Sequence, residues 1–215
     1  MESRLEEHLN HLFDRYPQLV VCREDIINAY HILEEAFGND RKLLVSGNGG
    51  SASDAEHIVG ELMKEFKLKR KIFGEYASAM KIVDAELGQT LAENLQGALP
   101  AISLTGHSSL TTAFMNDSEP DLIFAQQVNG YGKKGDVFWG ISTSGNSMNI
   151  LYAAVAAKSK GLKVIGLTGS KENRLMKFTD VCIRVPESET YKVQELHLPV
   201  YHCLCLMLED KFFGK

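Results

Sequence analysis

From residue 42 onward the chain alternates short, continuous apolar runs with helical stretches, and this alternation restricts the fold more than any other feature. The runs at 42–46, 101–104, 136–141, 163–168 and 180–185 are the expected strands. Helical patterns lie between them at 51–66, 108–131 in pieces, 146–160 and 171–178, with a final helix expected near 195–212. Runs that are apolar throughout suit strands buried on both faces, as in a parallel sheet. A doubly wound, three-layer α/β domain over residues 40–215 follows, with right-handed crossovers. In such sheets ligands sit at the carboxyl ends of the strands.

Two loops rich in small residues occupy those positions. Gly47-Asn48-Gly49-Gly50-Ser51 follows the first apolar run, and Ser142-Thr143-Ser144-Gly145-Asn146-Ser147 follows the third. A strand that turns through Gly, Ser and Thr into a helix offers backbone N–H groups and hydroxyls at the positive end of the helix dipole. Those donors suit a phosphate or sugar hydroxyls. The first loop also fits the GxGxxA variant of the dinucleotide fingerprint, but the chain about 20 residues on is helical and then basic, where a strand ending in a carboxylate is required. No GK[ST] follows the glycines, which disfavours a P-loop.

The rest of the chain narrows the setting. A net charge of −5 argues against a general electrostatic grip on nucleic acid. Lys67-Leu68-Lys69-Arg70-Lys71 is a local exception, read as a solvated helix end. No apolar run approaches the ~20 residues needed to span a bilayer, and acidic residues stand where a signal peptide needs an apolar core. The four cysteines, Cys22, Cys182, Cys203 and Cys205, lack metal or CxxC spacing and read as reduced thiols of a cytoplasmic protein.

Residues 1–39 form an N-terminal helical segment, with apolar positions at helical spacing over 2–14 and 23–37. Its apolar face is expected to pack either on its own domain or against another subunit. Residues 72–99 give one or two inserted helices between the first and second strands.

Candidate chemistry clusters on two helices. His57 and Glu61, four apart, share one side of the helix that leaves the first loop. The final helix offers Gln194, Glu195, His197 and His202. Gln194 and His202 are about 12 Å apart along one straight helix, so both reach one small site only if the helix begins after Gln194 or bends. Pro199 permits either.

At these residues the chain resembles the sugar isomerase (SIS) family and, within it, the phosphoheptose isomerases, which act on sedoheptulose 7-phosphate. The resemblance runs from about residue 40 to 212. It rests on Ser46-Gly47-Asn48-Gly49-Gly50-Ser51, Asp54-Ala55-Glu56-His57 with Glu61, Asn116-Asp117, Gly135-Asp136-Val137 leading into the serine loop, Lys163-Val164-Ile165 with Leu167-Thr168-Gly169, and Gln194-Glu195 with His202.

The resemblance implies a five-stranded parallel sheet between helices and a homotetramer with active sites built from adjacent subunits. By it, Asn48, Gly49, Gly50 and Ser51 line the sugar-phosphate site with Asn116 and Asp117. Ser142, Thr143, Ser144 and Ser147 hold the phosphate. His57, Glu61, Gln194 and His202 are the zinc ligands, with Glu61 and Gln194 also touching substrate. The reaction implied is aldose–ketose isomerisation through an enediol, with Glu61 as base and His202 as acid, giving D-glycero-D-manno-heptose 7-phosphate.

The chain also departs from the pattern. The 72–99 segment is longer than in the enterobacterial-type enzymes, Glu65 replaces a basic residue, and Tyr191 stands where an Asp is often found. A rival reading is a non-catalytic tetrameric scaffold resembling the DnaA initiator-associating factor, suggested by His202-Cys203-Leu204-Cys205. Glu61 and His202, whose counterparts that branch lacks, favour chemistry.

Overall fold

Strands that are apolar on both sides must be covered on both sides, and the computed structural model, which describes residues 3–214, meets that requirement with two layers of helices. Helices α1 (Ser3–Arg15) and α2 (Arg23–Gly38), joined by a 3₁₀ turn over Pro17–Cys22, precede strand β1 (Leu43–Ser46). There follow α3 (Gly50–Met63), α4 (Glu75–Val83), α5 (Ala85–Asn94) and β2 (Ala101–Ser103). Next come α6 (Ser108–Asp117), α7 (Ile123–Tyr131), β3 (Val137–Ile141), α8 (Met148–Ser159) and β4 (Lys163–Thr168). The chain closes with β5 (Val181–Arg184) and α9 (Thr190–Phe213). All strand pairs are parallel, in the order β2-β1-β3-β4-β5.

Side chains alternate across the sheet with the two-residue period of a strand. Leu43, Val45, Val137, Trp139, Ile165 and Leu167 face a core shared with α1, α2, α3 and α9. Leu44, Phe138 and Val164 face the other core, built with α7 and α8. Every residue of β1 and β3 is buried, whereas the edge strand β5 alternates.

The N-terminal helices contribute Leu5, Leu9, Leu12, Ile26, Tyr30 and Leu33 to the first of these cores, so their apolar faces pack on the chain's own sheet and on α9. At the amino ends of the strands, the buried carboxylate of Asp136 accepts from Lys42 N at 3.1 Å, Lys42 Nζ at 2.6 Å and Lys133 N at 2.8 Å. It ties β1 to the turn that enters β3.

Several expectations need correction. The segment 171–178 holds only a 3₁₀ turn, Leu175–Phe178, because Asn173 uses its side chain to bond Lys171 O and Thr168 Oγ1 in place of helix continuation. The final helix begins at Thr190 and carries Pro199 in its interior, so Gln194 is already helical. Helix α3 stops at Met63, and the basic stretch after it is a loop, not a helix end. Within that stretch Arg70 is not solvated: it is 2% exposed. Its guanidinium donates to Glu209 Oε1 (2.9 Å), Leu62 O (2.8 Å) and Glu61 O (2.9 Å). Glu209 also accepts from the backbone N–H groups of Phe66, Lys67 and Leu68. A charge that sequence assigns to water is instead the clasp between α9 and the end of α3.

The inserted segment forms two helices, α4 and α5, packed on each other. Asp84 caps α5 by accepting from Glu86 N and Leu87 N. The pair leaves a large apolar surface open: Phe73, Tyr76, Ile82, Val83 and Leu87 are 60–88% exposed. Among the described residues no helix is long and apolar enough to cross a membrane.

Candidate active site

The two small-residue loops meet at the carboxyl edge of the adjacent strands β1 and β3. At the first, Gly49 adopts φ +55°, which admits glycine at little cost. A Cβ on Gly50 would lie 2.5 Å from Gln194 Nε2, so a glycine here lets α9 come against the start of α3. Asn48 and Asn149 exchange two amide hydrogen bonds of 3.0 and 2.9 Å and so tie the first loop to the start of α8. The sequence does not point to Asn149, whose side chain links the two loops. Asparagine just inside a helix carries no signal until its partner in the other loop is known.

In the second loop Ser142 is buried, with its hydroxyl 3.1 Å from Ser147 Oγ and accepting from Gly145 N at 3.1 Å. Ser144 Oγ accepts from Asn146 N. Ser144 is exposed and Thr143 half-buried. Three of the four hydroxyls, those of Ser142, Ser144 and Ser147, are held by hydrogen bonds within their own loop, which leads into the amino end of α8.

Helices α3 and α9 run side by side in the same direction, with Gly50 beside Gln194 and His57 beside Tyr201 and His202. His57, Glu61 and His202 therefore converge about 10 Å down α3 from Gly50. His57 Nε2 lies 3.0 Å from Glu61 Oε1 and 3.5 Å from His202 Nε2. Glu61 is buried, and Lys64 Nζ reaches its other oxygen at 3.3 Å. On its far side His57 Nδ1 is 3.0 Å from the hydroxyl of Tyr201, which donates to Asp54 Oδ1 at 3.2 Å. Burial lowers the pKa of His202, with His57 adding to the effect. Burial likewise raises Asp54 and Tyr201 above their ordinary ranges.

The structure thus brings together three of the four expected zinc ligands. Gln194 stands apart from them, two turns away at the strand tips. Two imidazoles and a carboxylate are donors of the type zinc takes, with a further position left for water or substrate. As they stand the three hydrogen-bond to one another, and no group of three or more His, Cys, Asp or Glu side chains among the described residues forms a ready-made metal cage. Asn116 and Asp117 close α6, exposed and bonded to each other rather than to either loop. His197 plays no part in the site: it is fully buried, and burial brings its pKa down to about 4 although the backbone of Thr168 pulls the other way. A cavity of about 730 Å³ among Arg41, Lys133, Lys134 and Lys163 lies at the opposite, amino ends of the strands.

The protein is 38% identical over 212 residues to a phosphoheptose isomerase of Nitratiruptor sp., covering 99% of this chain and 98% of the relative. It is 34% identical to the phosphoheptose isomerase of Rhodospirillum rubrum, covering 98% of each. The chain belongs to the phosphoheptose isomerase family. The description of the SIS domain matches residues 71–169, which include the serine loop. The structure of phosphoheptose isomerase GmhA from Neisseria gonorrhoeae superposes with a TM-score of 0.73 at 30% identity, over 96% of this chain and 97% of that one. A phosphoheptose isomerase from Francisella tularensis gives 0.72 at 28% identity, over 98% and 100%. Membership in a phosphoheptose isomerase family makes the chain a sugar-phosphate isomerase, and the scaffold alternative is not favoured.

Proposed function

We propose that this isomerase interconverts sedoheptulose 7-phosphate and D-glycero-D-manno-heptose 7-phosphate. The observation that carries the reading is the convergence of Glu61 with two imidazoles on a seam that starts at the phosphate-type loops. A ligand with several carbons and a terminal phosphate suits two such clusters. The serine loop and the amino end of α8 bind its phosphate, and Asn48, Gly49, Gly50 and Ser51 line its chain.

The chemistry moves one C–H and one O–H. Glu61 takes a proton from C1 of the ketose, the electron pair forms the C1=C2 bond, and the carbonyl oxygen at C2 takes up a proton to give the enediol. Loss of the O1 proton and delivery of a proton to C2 then give the aldose. His202 is the donor to C2. A carboxylate base beside an imidazole also serves triosephosphate isomerase, although there the neutral imidazole polarises the carbonyl oxygen rather than protonating carbon. Placing donors at the developing enediolate oxygens is the main source of rate in such a site.

Zinc belongs to this proposal. His57, Glu61 and His202 would hold it, with Gln194 as the family's fourth ligand, and as a Lewis acid it would polarise the carbonyl. Glu61 can serve both roles because its two oxygens face different neighbours, one toward His57 and the other toward Lys64.

The working unit in this reading is a homotetramer in the cytoplasm. The exposed apolar face of α4 and α5 is the surface that a second copy would cover. Asn116 and Asp117, isolated within the chain, would line a site completed by a neighbour.

The test is product formation by purified protein from sedoheptulose 7-phosphate, followed by NMR, with zinc measured by elemental analysis. Aldose formation and stoichiometric zinc that His57→Ala removes are expected. Failure to form the aldose with zinc supplied would overturn the substrate assignment.

A further inference from the structure

One contact between the two strand-tip loops fixes an orientation as well as a distance. Asn48 Nδ2 donates to Asn149 Oδ1 at 3.0 Å, and Asn149 Nδ2 returns a bond to Asn48 Oδ1 at 2.9 Å. Taken alone the pair is symmetric, because turning both amides over keeps the distances and exchanges donors with acceptors. A third contact breaks that symmetry. The backbone N–H of Ile150 donates to Asn149 Oδ1 at 2.9 Å, as well as to Ser147 O at 3.1 Å. A backbone N–H is only a donor, so an NH2 group in that place would set two donors against each other. Asn149 therefore gives its oxygen to the first turn of α8, and Asn48 has to meet the same oxygen with its NH2.

The pairing leaves Asn48 with capacity to spare. An amide side chain carries two N–H donors and two lone pairs, and the bridge uses one of each. The main chain of Asn48 is held as well, its carbonyl accepting from Ser51 N at 3.0 Å. Asn48 is exposed and Asn149 half-buried. What Asn48 offers is thus one N–H and one lone pair of set direction beside the glycines of the first loop. A chain of hydroxyls, each able to donate and to accept, is the complement of such a group.

We propose that Asn149 is a positioning residue that locks the Asn48 amide in one sense, so that its spare N–H and lone pair meet the hydroxylated chain of the sugar phosphate in fixed directions. This role rests on the isomerase reading above, in which Asn48 lines that chain, and Asn149 acts through it. Without the lock the Asn48 amide is free to turn over. Donor and acceptor then exchange places, and the substrate's reacting carbons lose their register with Glu61.

Asn149→Ala removes both bonds to Asn48 and keeps α8, since alanine is the best helix former. Its kcat/KM for sedoheptulose 7-phosphate is expected to fall about 10- to 100-fold, the scale of a misplaced reacting group, while inhibition by inorganic phosphate, which reads the serine loop, shifts by less than about twofold. The double variant Asn48→Ala/Asn149→Ala is expected to be no worse than Asn48→Ala alone. A general loosening of the site would weaken phosphate too, and the two losses would multiply. Either of those results would overturn the proposal, as would wild-type kcat/KM in Asn149→Ala.

The lock itself is read without turnover, from the Asn48 side-chain NH2 in a ¹⁵N–¹H NMR spectrum, assigned by its loss in Asn48→Ala. Its bonded proton is expected to resonate away from the position of a free asparagine and to return there in Asn149→Ala. A wild-type signal already at the free position would overturn the proposal. If the signal moves as stated while wild-type protein leaves sedoheptulose 7-phosphate unchanged, the orienting role stands and the substrate reading alone fails.

Discussion

Glu61 carries the largest share of the proposed chemistry, and its own setting is unusually well defined. The carboxylate side chain faces His57 and Lys64, while its backbone carbonyl accepts from the buried guanidinium of Arg70. Replacing it by Gln keeps shape and removes the base, so turnover is expected to fall by at least ~100-fold, the scale of a lost general base. Thermal melting should be unchanged. Retained activity would remove Glu61 from that role.

Arg70 and Glu209 invite the opposite experiment. Their side chains are 0% and 1% exposed, so breaking the pair leaves a buried charge alone. Arg70→Met is expected to cost about 3–5 kcal/mol in urea unfolding, and the double variant with Glu209→Leu should recover much of that loss. His197 sets an acid limit. Its folded pKa of about 4 lies below the unfolded value near 6.5, so the unfolded state binds more protons between the two. Its contribution is complete above about pH 6.5 and falls away toward pH 4, by roughly 3 kcal/mol in all. His197→Asn should flatten that part of the stability–pH curve, provided the variant folds.

At the scale of elements, most of the architecture was legible because strands buried on both faces leave a direct mark in sequence. The five apolar runs at 42–46, 101–104, 136–141, 163–168 and 180–185 all became strands, and both small-residue loops sit at strand tips. What was not legible depended on partners distant in sequence. Arg70 reads as surface charge until Glu209 is seen beside it. Asn149 and Tyr201 find their partners only in Asn48 and His57, each more than a hundred residues away. Pro199 suggested a helix start or bend, yet α9 runs from Thr190 through it, held by packing on α1, α2 and α3. Local propensity yielded there to burial of Val193, Leu196, Val200 and Leu204. Of the four residues expected to hold zinc, His57, Glu61 and His202 lie together, while Gln194 lies against Gly50 at the first loop.

For the whole molecule, the pattern is a chain that divides its functional groups between two places. Hydroxyls and helix ends gather at the strand tips, and the carboxylate–imidazole trio lies lower on the α3–α9 seam. The helical pair α4–α5 projects an apolar face with Ile82 85% and Val83 88% exposed. In the proposed tetramer that face is covered, so Ile82→Lys with Val83→Glu should yield a smaller species in light scattering while far-ultraviolet circular dichroism stays the same. An unchanged mass would move the subunit contact elsewhere.

In the proposed reaction the C1 proton of the ketose leaves to a carboxylate and an enediol forms. The most direct measurement is isomerisation of sedoheptulose 7-phosphate in deuterated water, reading label in product and in recovered substrate. Deuterium at C2 of the aldose and at C1 of the returned ketose, both abolished by Glu61→Gln, is the predicted result. Aldose formed with its migrating hydrogen wholly retained, or labelled just as fast by the Gln variant, would contradict it.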